Sequence, residues 1–107
     1  VVDKISRNVK KEITIDYISK VVCNYFNITP DQLSVNTRKR EIVLARQVAM
    51  YFSKLLTKSS LTTIGTNIGK KDHATVLHAY KTVLNLRDTD KMFKRQLEDI
   101  ERKLKAV

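Results

Sequence analysis

Only three residues of this 107-residue chain are glycine or proline: Pro30, Gly65 and Gly69. Hairpin-rich folds consume such residues at every tight turn, so a chain this poor in them is expected to build helices joined by a few short connections. The apolar spacing agrees. In "TIDYISKVVCNYF", Ile18, Val21, Val22, Tyr25 and Phe26 recur at i, i+3, i+4, i+7 and i+8, one stripe of a helix, with Thr14 at the N-cap position. "ITPDQL" places Thr29 as N-cap, Pro30 at the first helical position and Gln32 at the third, a capping box opening one short turn. "SVNT" reads as a loop. "RKREIVLARQVAMYFSKLLTK" is then a long helix with its stripe on Ala45, Val48, Ala49, Phe52, Leu55 and Leu56, and Tyr51 at the margin.

Ser60 caps a further short helix, "LTTIGTNI", which Gly69 closes as the first residue beyond its C-cap. "DHATVLHAYKTVLNL" follows, with Asp72 near its positive end and Val76, Tyr80, Val83 and Leu84 facing inward. The last helix starts near Thr89 or Asp90 and turns Phe93, Leu97, Ile100 and Leu104 to the core. The fold class is all-α. Residues 1–11 read as a linker or helix end arriving from an upstream domain, and the opening "VVDKISRNVKKE", with neither methionine nor an apolar core, suits a piece of a longer protein.

A net charge of +10 on a chain of this size favours a polyanionic partner, nucleic acid first. The competing classes are a non-specific basic module for nucleic acid or acidic membrane surfaces, and a protein-interaction domain that carries its lysines for solubility. Cys23 is the only cysteine, so it forms no disulfide within the chain and suits a reducing compartment. In its helix it reads as a small apolar residue, with no basic neighbour to activate the thiol.

"GTNIGKK" invites comparison with a phosphate-binding loop. The glycines are one residue too close for that pattern, Lys71 stands where a serine or threonine hydroxyl would bind Mg²⁺, and no strand precedes it. Metal binding fares no better. His73 and His78 are i and i+5, about 500° apart around a helix, and a single distant cysteine completes no tetrad. Adjacent Asp72 and His73 do not face each other as a catalytic pair would. No enzyme activity, metal or cofactor is expected. The same residues fit a helix-turn-helix, with a short first helix, a glycine-opened turn and a longer second helix over residues 72–86 that enters the major groove. Gly65 marks either a close approach of the two helices or a tolerated helix glycine costing about 1 kcal/mol relative to alanine.

The run Ile64, Gly65, Gly69, Asp72, His73, Thr75, Val76, His78 and Ala79 resembles the signature I-G-x-x-F-G-x-R-D-H-[ST]-T-V-x-H-A of the C-terminal DNA-binding domain in the DnaA family of bacterial chromosomal replication initiators. The likeness extends over residues 12–86. It implies a compact, Trp-repressor-like helical domain over residues 12–107, preceded by the end of an ATPase module. It also implies recognition of nonameric boxes in duplex DNA at a replication origin. Base contacts carried over from the family are Arg38, inserted into the minor groove, and Asp72, His73, Thr75, Val76 and Ala79 in the major groove. The chemistry suits them: aspartate accepts from a cytosine amino group, histidine bonds base edges, and small apolar groups touch thymine methyls. For Val76 a place in the core stays equally open.

Phosphate contacts carried over are Lys39, Arg40, Arg46, Gln47, Lys54, Leu61, Thr62, Lys71 and position 74. Here Ala74 replaces the usual serine or threonine and loses its hydroxyl. Leu44 and Ala45 stand where many relatives have arginine and proline, and Ile68 replaces a phenylalanine. His78 is expected to support the helix rather than to read a base. The resemblance further implies ATP and Mg²⁺ in the upstream module alone, contacts with acidic phospholipids or regulatory proteins through the parent protein, a monomeric isolated domain, and a cytoplasmic, nucleoid-associated location.

Overall fold

A computed structural model describes residues 13–34 and 39–105. Five α-helices appear in order: α1 (Ile15–Phe26), α2 (Arg40–Leu56), α3 (Leu61–Asn67), α4 (His73–Thr89) and α5 (Lys91–Lys105), with a 3₁₀ turn at Pro30–Ser34 between α1 and α2. No strand occurs among the described residues.

The helix starts are local chemistry. The Thr14 hydroxyl accepts from the Tyr17 amide at 3.1 Å, and Ser60 Oγ accepts from the Thr63 amide at 3.1 Å, each satisfying one of the donors a helix leaves open at its start. The Thr29 amide donates to Gln32 Oε1 at 2.8 Å, the reach-back half of a capping box. At the end of α1, Asn27 turns left-handed (φ 60°), and Ile28 N bonds Cys23 O at 2.9 Å while Asn27 N bonds Asn24 O. That pair of bonds is a Schellman ending. Asp90 serves two helices at once. Its amide bonds Leu86 O at 2.8 Å to close α4, and its carboxylate accepts from Met92 and Phe93 amides to open α5.

α2 is the central element, packed against α1, α3, α4 and the 3₁₀ turn. It is buried nearly all round, at Ile42, Ala45, Arg46, Val48, Ala49, Met50, Tyr51, Phe52 and Ser53, as a helix enclosed by others must be. Tyr51 is therefore inside rather than marginal, 4% exposed and stacked on Tyr80 at 5.4 Å. Leu55 corrects the expected stripe at the other extreme, being 47% exposed. It shares the angular position of Val48 seven residues earlier, so its exposure reflects where α2 ends and not its phase.

α5 turns Phe93, Leu97, Ile100 and Leu104 into the core as its spacing predicts, and closes the bundle against α1 and α4. On α1 the buried set is Ile15, Ile18, Val22 and Cys23, with Val21, Tyr25 and Phe26 half-buried beside it. Cys23 is an enclosed core residue whose thiol burial pushes up to about 11, so it stays protonated. No helix among the described residues is long and apolar enough to cross a membrane.

Candidate nucleic-acid interface

The α3–turn–α4 unit is held by a backbone clasp. Lys71 N donates to Gly65 O at 2.8 Å, and the Lys71 carbonyl lies so close that a Cβ on Gly65 would sit 2.2 Å from it, with Val76 Cγ2 at 3.1 Å. The two readings of Gly65 are thereby resolved: the helices approach here, and only glycine leaves room. Gly69 follows Ile68, the C-cap of α3, with φ +79°, a conformation glycine adopts at little cost. Lys70 continues left-handed at φ 52°. This geometry does not fit a nucleotide cradle. Leu61–Asn67 is helix where a strand would be needed, and the Lys71 carbonyl closes against Gly65.

Asp72 caps α4. Its Oδ1 accepts from the Thr75 amide at 2.9 Å and from the Thr75 hydroxyl at 2.8 Å. The Thr75 amide bond, then the hydroxyl bond, holds the Asp72 carboxyl below the ordinary aspartate range, since both stabilise the ionised form. Asp72, His73, Ala74 and Thr75 are all exposed, so the leading end of α4 is open to solvent.

Two expected base contacts are enclosed, Val76 in the core place that stayed equally open to it. Val76 is 0% and Ala79 2% exposed; with Val83 they form the buried i, i+3, i+7 row of α4. Side chains enclosed by the core cannot touch thymine methyls, so both act as packing beneath the open end. His78, by contrast, is exposed, with Nε2 3.5 Å from Thr82 Oγ1. His78 and Lys81 are an outward-facing continuation from Ala74 at i+4 and i+7 that the spacing already contained.

The basic residues divide. Arg38 lies outside the described residues. Lys39 and Arg40 are exposed where α2 begins, Lys39 being its N-cap. Lys54 is exposed and places its ammonium 5.0 Å over the Tyr80 ring. Gln47, Leu61 and Lys71 are half-buried, and Thr62 is exposed. Arg46 departs most from a phosphate-facing position. It is 8% exposed, its Nε donates to the Leu33 carbonyl at 2.8 Å, and burial lowers its guanidinium below the ordinary value. Arg46 lies at i+4 from Ile42 and i−3 from Ala49, on a buried row of α2, a signal legible in the spacing. Among the described residues no group of three or more His, Cys, Asp or Glu side chains is placed to hold a metal ion.

With this geometry in place, the likeness to known proteins is specific. The family model "Bacterial dnaA protein helix-turn-helix" matches residues 15–83. The chromosomal replication initiator protein DnaA of Flavobacterium psychrophilum is 57% identical over 104 residues, 97% of this chain and 22% of that protein. Its namesake in Bacteroides thetaiotaomicron is 47% identical over 105 residues, 98% of this chain and 22% of that protein. The one in Chlorobaculum tepidum is 39% identical over 97 residues, 91% of this chain and 20% of that protein. The chain thus spans about a fifth of the length of these curated relatives. Matched over 69 residues that include the clasp at Gly65, the turn at Gly69 and the cap at Asp72, the chain belongs to the bacterial DnaA helix-turn-helix family.

Proposed function

We propose that this chain is the sequence-specific duplex-DNA reader of a replication initiator and takes no catalytic step itself. α4 enters the major groove by its leading end, where Asp72, His73 and Thr75 meet base edges and position 74, an alanine here, faces the backbone. Arg38 reaches the minor groove, where narrow A·T-rich DNA attracts arginine. Lys39, Arg40, Gln47, Lys54, Leu61, Thr62 and Lys71 face phosphates and fix register. The target is a nonameric origin box. ATP and Mg²⁺ belong to another module of the parent protein, as do contacts with phospholipid or regulatory partners; the domain binds as a monomer and works in the cytoplasm on the nucleoid.

One observation carries this reading. The α3–α4 unit is clasped at Gly65 and packed through Val76 and Ala79, yet leaves Asp72 to Thr75 open. A rigid base under an exposed helix start suits readout of base edges.

The test is a titration of labelled duplexes, one with a nine-base-pair family box and one with the same bases scrambled, beside single-stranded RNA, at two salt concentrations. Specific reading gives a box-over-scramble preference of about a thousandfold or more. A steep salt dependence with equal affinity for all three would leave only a non-specific basic module.

A further inference from the structure

Tyr51, Lys54 and Tyr80 form one cluster between α2 and α4. Tyr51 and Lys54 are i and i+3 on α2 and so share a face, and both meet the ring of Tyr80. Tyr51 stacks on that ring with centroids 5.4 Å apart and planes 25° from parallel. Lys54 sets its ammonium 5.0 Å from the ring centroid. Tyr51 is 4% exposed and meets Phe52 edge-on at 5.1 Å, so the enclosed end of the stack is fixed by packing. Tyr80 is half-buried and Lys54 is exposed. The aromatic pair thus carries the rigidity of the core out to a surface cation.

The place of this cation along α4 is informative. His73 and Tyr80 are seven residues apart, which puts them within about 20° of each other around the helix. Along the helix axis they are about 10 Å apart. The major groove is about 12 Å wide, so an ammonium on Tyr80 stands at the groove wall when the leading end of α4 meets base edges. A free lysine stem must be ordered when it meets a phosphate. Held over a ring, the ammonium is already placed, and its N–H groups turned away from the ring stay open to an oxygen.

We propose that Tyr80 is a positioning residue for DNA binding: its ring face, backed by Tyr51, holds the Lys54 ammonium beside α4 for a backbone phosphate. This rests on the DNA-reading role proposed above, in which Lys54 faces phosphate. Such a contact carries no sequence information, so the ring acts on affinity for box and scrambled duplex alike.

The experiment titrates both duplexes across a salt series with the unaltered chain, Tyr80→Phe, Tyr80→Leu, Lys54→Ala and the double variant Lys54→Ala/Tyr80→Leu. Folding is followed by circular dichroism, and NMR reads the Lys54 ε-methylene protons, which a ring face shifts upfield. That shift is expected in the unaltered chain and in Tyr80→Phe, and is lost in Tyr80→Leu. Tyr80→Leu is expected to weaken both duplexes by about threefold to fivefold, while Tyr80→Phe binds as the unaltered chain does. In the Lys54→Ala background, Tyr80→Leu is expected to add no further loss. Equal loss with and without Lys54 overturns the proposal and leaves Tyr80 as packing alone. No loss in Tyr80→Leu, or the same loss in Tyr80→Phe, overturns it too. Should Tyr80→Leu fail to fold, the unaltered chain decides: Lys54 protons without an upfield shift refute the placement. A chain without box preference refutes sequence reading instead and leaves the Lys54 comparison intact on both duplexes, so the two failures are distinct.

Discussion

The carboxylate of Asp72 and the side chain of Thr75 are locked together: one oxygen, Asp72 Oδ1, accepts both the amide and the hydroxyl of Thr75. An ionised carboxylate only accepts, so the Thr75 hydroxyl proton is committed to it. On the proposed DNA-reading role, Thr75 therefore offers a base its oxygen lone pair and its methyl, not its hydroxyl proton.

This lock has a pH signature. The Asp72 carboxyl is held low by the Thr75 bonds, so its stabilising contribution is complete above the unfolded aspartate value of 3.8 and is lost as pH falls through the lower folded value. Asp72→Ala should melt below the unaltered chain at neutral pH, and the gap should close in strong acid. A gap that persisted unchanged at low pH would mean that the carboxylate is not the group responsible.

Gly65→Ala should be the most damaging single methyl in the turn. The added carbon would meet the Lys71 carbonyl at 2.2 Å, and backbone rather than a flexible side chain must move. Overpacking of this kind costs about 3 kcal/mol, read as a lower midpoint in urea. A loss below about 0.5 kcal/mol would show that α3 and α4 can part without cost.

His73→Ala should cost roughly 1–3 kcal/mol on the box and little on scrambled DNA, as for a base contact. Lys54→Ala should weaken both duplexes about equally and flatten the salt dependence. Its position over Tyr80 adds a stability loss of about 0.5–1 kcal/mol without DNA. An unchanged box-over-scramble ratio in His73→Ala would remove that histidine from the readers.

Val76→Ala decides between the core and the groove for this residue of α4. Its side chain is fully enclosed, so truncation should cost about 2 kcal/mol of folding stability while folded molecules discriminate box from scramble as before. Lost discrimination with stability intact would return Val76 to the groove.

Much of this fold was legible in the residues, because capping and periodicity are local. Thr14, Ser60 and Asp90 sit where helix starts need acceptors, and the four apolar residues of α5 all point inward. Depth was less legible. Spacing gives the apolar face of a helix but not how many neighbours cover it, so Tyr51 looked marginal and Leu55 looked internal. Val76 and Ala79 carried a family pattern that fixes residue type without fixing orientation. Gly65 left two readings open because spacing does not show what a turn packs against, and Arg46 meets a carbonyl thirteen residues away, at Leu33, that periodicity does not point to.

Asp90 joins α4 to α5 with no spare residue, ending one helix and beginning the next. The far end of α4 is thus braced by a strut without slack. One inserted residue after Asp90 would rotate the Phe93–Leu104 stripe by about 100° and swing charged side chains inward, so the α4–α5 junction should tolerate no change of length.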